Sequence, residues 1–247
     1  MTPMMFLVGV MPIATFALGS WQVSRLKWKI ALIDELEEKL SADPMRLPPR
    51  INNSLDALPE FIFRKVSVSG YFDHAKTIVL KPRVYDGNHG VHVVTPFVRD
   101  NGTTVLVDRG FVTNEVADRG GIEKSTEHVE IVGMIRTSQP RNAFTPDNEP
   151  DKGVWYWTDV DAIAEHAGGA AANVQPVFIE QIFQGHVGEA QSSLRDGSPL
   201  GRPPTVDIRN SHLSYIITWY ALSAFTAVMF AGVVRNRRRF VGKRLPR

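Results

Sequence analysis

From Leu213 to Val234 the chain runs 22 positions without a charged residue. A helix of that length spans ~30 Å, the thickness of a bilayer's hydrocarbon core. Seven cations follow within the last 13 residues (Arg235, Arg237, Arg238, Arg239, Lys243, Arg244 and Arg247), with no acid among them. Such a tail stays on the cytoplasm-like side of a membrane. The segment therefore reads as a transmembrane helix over residues 212–234 with a basic tail over 235–247.

Residues 1–24 are also free of charged side chains. Three readings compete for them. A cleaved signal peptide wants a basic start and a small-residue cleavage site, but this stretch has no Lys or Arg and runs into Trp21 and a charged helical pattern. A buried core helix would place Pro12 mid-helix with no solvent face. A first membrane span over residues 4–23 fits best, because Pro is tolerated where neighbouring groups re-satisfy the backbone. The abrupt apolar start is the start expected of a trimmed precursor or a fragment. Two spans place both termini on one side and everything between on the other. Arg25, Lys27 and Lys29 oppose that orientation, but seven unopposed cations outweigh three mixed with acids.

Charge is split accordingly. Residues 1–208 carry 20 Lys+Arg against 26 Asp+Glu, whereas residues 209–247 carry eight cations and no acid, so the formal net of +2 describes no actual surface. An acidic middle argues against a nucleic-acid binder, and the tail suits anionic lipid headgroups. The chain has no cysteine, which excludes disulfides, thiolate metal sites and cysteine nucleophiles.

Between the spans, Leu26, Ile30, Ile33, Leu36 and Leu40 recur at helical spacing, predicting a helical extension over residues 24–42 that ends before Pro44. Residues 43–208 form the expected soluble domain. From Phe61 the period turns towards two, predicting strands in 61–72, 76–85, 90–99, 103–113, 128–138 and 176–183. Asn101-Gly102 reads as a type I′ hairpin turn. Asp159 is the expected N-cap of a short helix over 159–167, and Gly185–Pro204 reads as a flexible return to the membrane. The fold class is thus a membrane protein in which two transmembrane α-helices flank an α+β, mainly antiparallel β-sheet domain.

Catalytic signatures are missing. No G-x-S-x-G elbow, Gly-rich phosphate loop or HExxH pair is present. His89 and His92 lie three apart on a strand and point to opposite faces, so they do not readily share a metal. Asp108-Arg109-Gly110 reads as an ion pair and a bulge within a strand. The membrane-proximal segments are more specific together. Trp21, Gln22, Arg25, Trp28 and Lys29 leave the first span, and Arg209, Asn210, His212, Tyr215 and Trp219 enter the second. An aromatic belt with snorkelling cations accounts for the Trp and Tyr. His212 is less well accounted for: it sits by the positive end of a helix dipole, which suits the neutral imidazole that ligates a metal or haem iron. Arg25 and Arg209 are then candidate partners for haem propionates.

Three blocks in this order, GSWQVSRLKWK (Gly19 to Lys29), VLVDRGFV (Val105 to Val112) and NSHLSYIITWY (Asn210 to Tyr220), resemble the surfeit locus protein 1 (Surf/Shy type) family of cytochrome c oxidase assembly factors. Gly19, Trp21, Gln22, Arg25, Trp28 and Lys29 match its G-x-W-Q-x-x-R-x-x-W-K exit from the first span. Asn210, His212, Tyr215, Thr218 and Trp219 match its N-x-H-x-x-Y-x-x-T-W entry into the second. Asp108 stands where the family often has Asn, and Phe111 where it often has Trp. The resemblance implies a non-enzymatic chaperone of the mitochondrial inner membrane, its domain in the intermembrane space and both termini in the matrix. It further implies that the factor serves early maturation of the oxidase's catalytic subunit, with that subunit and other assembly factors as partners and haem a as the cofactor to be held or delivered. A protein-only scaffold is the alternative, and a membrane-tethered enzyme a third.

Overall fold

The computed structural model describes residues 3–49, 58–205 and 210–242. It divides into two compact units, one made of residues 1–37 with 206–247 and the other of residues 38–205.

The first unit is a helix pair. Helix α1 (Pro3–Ser41) is continuous through Pro12, and α6 (His212–Gly242) runs antiparallel to it within the unit. Thr15 Oγ1 donates to the carbonyls of Met11 (2.8 Å) and Pro12 (3.2 Å), and Ser223 Oγ of α6 donates to the Pro12 carbonyl at 2.7 Å. A hydroxyl bonded to a carbonyl of its own or the neighbouring helix can lie buried between two apolar helices. Polar Thr15 and Ser223 are buried while Phe6, Ile13, Phe16, Ile217, Phe225 and Val228 are exposed, the reverse of a water-soluble helix pair. Among the described residues one helix, His212–Asn236, is long and apolar enough to cross a membrane.

The second unit is β-rich. Its strands are β1 (Met45–Arg46), β2 (Lys65–Phe72), β3 (Ile78–Tyr85), β4 (Asn88–Arg99), β5 (Thr104–Thr113), β6 (Val129–Arg136) and β7 (Val174–Gln181). Short helices α2 (Leu58–Phe61), α3 (Asn114–Asp118), α4 (Val160–His166) and α5 (Val187–Asp196) intervene. The order β1-β2-β6-β7-β5-β4-β3 is completed by pairing of β2 with β4, so β2, β6, β7, β5 and β4 close on themselves as a five-stranded barrel. Closure buries alternate residues: Val66, Val68, Phe97, Val105, Val107, Ile131, Ile135, Val177 and Ile179 form the interior cluster. A second cluster on the outer face packs α4 through Val160, Ile163 and Ala164 onto Leu80, Leu106 and Phe178. Asp159 caps α4, its side chain accepting from the amide of Ala162.

Two expectations are revised. Asn101-Gly102 does not form a type I′ turn. Only Gly102 of that pair has positive φ (77°), and Arg99 N donates to Thr103 O at 2.9 Å, which makes a three-residue hairpin loop with glycine in the left-handed position. Positive φ at both central residues is found at Asp86-Gly87 instead (47° and 77°). Gly185–Pro204 is not simply a flexible return: it contains α5, and Leu200 and Arg202 bridge to Phe111 and Ile182. The sheet is antiparallel apart from the β5–β7 and β1–β2 pairs, which are parallel.

Candidate functional site

The matched blocks of α1 and α6 meet at the N-terminal end of α6. Asn210 Oδ1 accepts from the backbone N–H of His212 at 3.3 Å, which helps start the helix. The His212 ring is half-buried, and its Nδ1 lies 2.7 Å from Gln22 Oε1 of α1. Two turns further along α6, Tyr220 packs onto Gly19: a Cβ at Gly19 would come within 2.8 Å of the Tyr220 ring. Ser20 Oγ and Tyr220 Oη are 3.2 Å apart, and the rings of Phe16 and Tyr220 are 5.4 Å apart. Glycine here admits the tyrosine, and the tyrosine hydroxyl finds a polar partner between two helices.

Trp21, Trp28 and Tyr215 are exposed, each by more than half of its surface (57%, 52% and 52%), and Trp219 is half-buried. The Arg25 guanidinium stacks over Trp28, 4.1 Å from the ring centroid, a cation–π pair that holds the cation beside exposed aromatic surface. Arg209 lies outside the described residues. His212, Gln22 and Gly19 are thus brought onto facing sides of the pair, while Trp21, Trp28 and Tyr215 present open aromatic surface.

The middle block lies elsewhere. In β5, Val93 pairs with Gly110 and Val94 with Asp108, leaving Arg109 as the extra residue of a β-bulge. Asp108 is buried; its Oδ2 lies 2.8 Å from His92 Nδ1, and its Oδ1 accepts from Gly110 N at 2.9 Å. Burial opposes charge on His92, but Asp108 outweighs it, and the His92 pKa is held above the usual histidine value. Arg109 donates to the Glu123 carbonyl at 2.7 Å and lies over Phe72; burial pulls its pKa below the usual guanidinium value, with Glu123 opposing. His92 is thus engaged by a carboxylate while His89 is exposed, and among the described residues no three metal-ligating side chains converge.

Comparison with known proteins gives this arrangement its context. The SURF1 family model matches residues 10–224. The chain belongs to the SURF1 family. It is 36% identical to "Surfeit locus protein 1" of Homo sapiens over 244 residues, covering 90% of this chain and 74% of the human protein. It is also 36% identical to the Rattus norvegicus protein of the same name over 241 residues (89% and 72%), and to a "SURF1-like protein" of Monosiga brevicollis over 251 residues (95% and 89%). The match to the SURF1 family spans all three blocks, the two at the helix pair and the one in the barrel. Charge and motif patterns in the sequence do not mark Ser20, Thr15 and Ser223, although hydroxyls inside otherwise apolar segments are a readable signal for helix-to-helix hydrogen bonds.

Proposed function

We propose that this SURF1-family chain is a non-enzymatic assembly factor for cytochrome c oxidase in the mitochondrial inner membrane. It acts in early maturation of the catalytic subunit and holds haem a in transit. The observation that carries the reading is the His212 imidazole, fixed by Gln22 at one end of a helix pair that is polar within and apolar without. The donor set suits haem: imidazole nitrogen is a common axial ligand to its iron, exposed aromatic rings suit a macrocycle, and Arg25 and Arg209 are cations for its propionates. When bound, haem a supplies the iron and the macrocycle; the chain's part is to ligate, orient and release it. On this reading α1 is a second span, supported by its exposed Phe6, Ile13 and Phe16, and the barrel faces the intermembrane space with both termini in the matrix.

The deciding measurement is the visible spectrum of the detergent-purified full chain, expressed in cells that make haem a. A haem a Soret band in wild type that is absent from folded His212→Ala supports the reading. A colourless wild type despite available haem a overturns it.

One observation favours the protein-only scaffold as second reading. Phe144 is 96% exposed on a loop that is internally bonded: Asn142 Oδ1 accepts from Phe144 N and Thr145 Oγ1, and Arg141 pairs with Asp147. An aromatic side chain presented on an ordered loop is a protein-contact feature. Under this reading, Phe144→Asp abolishes association with oxidase intermediates while a haem-deficient host leaves it intact.

A further inference from the structure

The geometry points to Gln22 as the positioning residue that sets which nitrogen of His212 is offered to a ligand, so that α1 controls the chemistry of a side chain carried by α6. The inference concerns the site proposed above and rests on that reading for its haem consequences, but its central statement concerns the protein alone.

Gln22 Oε1 lies 2.7 Å from His212 Nδ1. A carbonyl oxygen only accepts, so the proton between them belongs to Nδ1. The neutral ring then carries its lone pair on Nε2, the nitrogen farther from the backbone and free to approach a metal. Ligating histidines are characteristically held this way, with the non-ligating N–H donated to an oxygen that fixes the tautomer and the ring plane and raises the basicity of the other nitrogen. Here that oxygen comes from the other helix, 190 residues away in sequence. The helices are also joined at two further levels, by Ser20 with Tyr220 and by Ser223 with the Pro12 carbonyl. Anything that draws α1 from α6 therefore removes the acceptor from His212 and returns the ring to its free tautomer mixture. Ligation and helix pairing are linked: a bound ligand tightens the pair, and opening the pair is a route to release.

The test has one arm without haem and one with it. In the full chain in detergent micelles, labelled with ¹⁵N-histidine, the His212 signals are assigned by their loss in His212→Ala. We expect Nδ1–H in wild type and in Gln22→Glu, which keeps an acceptor, and a shift towards Nε2–H in Gln22→Leu. Circular dichroism checks that both variants keep wild-type helicity. A wild-type ring protonated on Nε2, as a donating Gln22 amide would produce, overturns the inference, as does a tautomer unchanged in Gln22→Leu. In the second arm the chain is loaded with haem a. Gln22→Leu is expected to bind about 10- to 100-fold more weakly and with a raised midpoint potential, and Gln22→Glu to lower the potential below wild type. Wild type that takes up no haem a yet shows Nδ1–H defeats the haem reading and leaves the positioning role standing. Haem held by His212 with equal affinity and potential in all three proteins does the reverse.

Discussion

Two residues of the middle block have roles that the structure makes quantitative. Asp108 holds His92, and Arg83 and Glu180 are the other charged groups acting on that ring. Because the folded state raises the His92 pKa, its contribution to stability is complete below the ordinary histidine value of about 6.5 and is lost as pH rises through the raised one. The thermal midpoint of the full chain is therefore expected to fall as pH rises above about 6.5, and His92→Gln to remove that component of the slope. Asp108→Asn exchanges a charged acceptor for a neutral one and is expected to destabilise by about 1.5–3 kcal/mol, read by chemical denaturation at pH 6. A pH slope unchanged in His92→Gln would contradict the assignment. Gly110, two positions on, has a φ of 120°, and a Cβ there would lie 2.0 Å from the Leu200 carbonyl oxygen. Gly110→Ala should break the paired Phe111–Leu200 backbone bonds and loosen residues 198–202, seen as faster hydrogen exchange there and not in the interior strands.

Elements are joined by buried polar groups as well as by apolar packing. Glu180 of β7 is bonded by Arg136 of β6 at 3.4 Å and by Arg202 at 3.1 Å. The carboxylate is nearly buried while Arg202 is half exposed, so the two ends of the pair are unequal. Glu180→Ala leaves Arg136 without its carboxylate and is expected to cost about 3 kcal/mol, whereas Arg202→Ala should cost about 1 kcal/mol or less; equal losses in a denaturation series would refute the asymmetry. Between α1 and α6, Ser223→Ala should cost about 0.6 kcal/mol, the usual worth of a membrane helix hydrogen bond. Gly19→Leu should cost more, because its side chain enters the space of the Tyr220 ring. Which elements were legible follows from how local their causes are. The strand periods of β2 to β7 and the Asp159 cap are written in neighbouring residues and could be read. Closure of the barrel depends on Phe72 meeting Phe97 and Gly70 meeting Arg99, a register that neither strand announces alone. Helix α5 is not legible in the sequence because VGEAQSSLRD has few apolar residues; the bond from His186 N to Glu189 Oε2 at 3.1 Å and the distant Phe111–Leu200 bridge organise that region. At the helix pair, the sequence singled out His212 and Gln22 separately, but only the antiparallel packing of α1 and α6 makes them partners.

At the scale of the whole molecule, the charge split becomes a statement about topology. The uncharged run of α6 ends in Arg235, Arg237, Arg238 and Arg239, and α1 leads out through Arg25, Lys27 and Lys29. If both helices span, these two cation groups lie on opposite faces of the bilayer and compete, and the unopposed tail prevails. The absence of native cysteine makes the proposal directly measurable with single-cysteine variants and a membrane-impermeant maleimide. Lys152, exposed on the barrel, and Arg247, at the tail, report the two sides. In mitoplasts, Lys152→Cys is expected to react before permeabilisation and Arg247→Cys only after it. Labelling of both from the same side would mean that α6, the one long helix between the two positions, does not cross. Orientation is then tested through its cause. Replacing Arg235, Arg237, Arg238 and Arg239 with glutamine leaves Lys243, Arg244 and Arg247 against Arg25, Lys27 and Lys29, and the bias should shrink towards a mixed population in which a fraction of Arg247→Cys becomes reactive from outside. Were orientation unmoved by that change, the tail would not be what sets it, and folding of the barrel on its own side of the membrane would have to hold the chain in place.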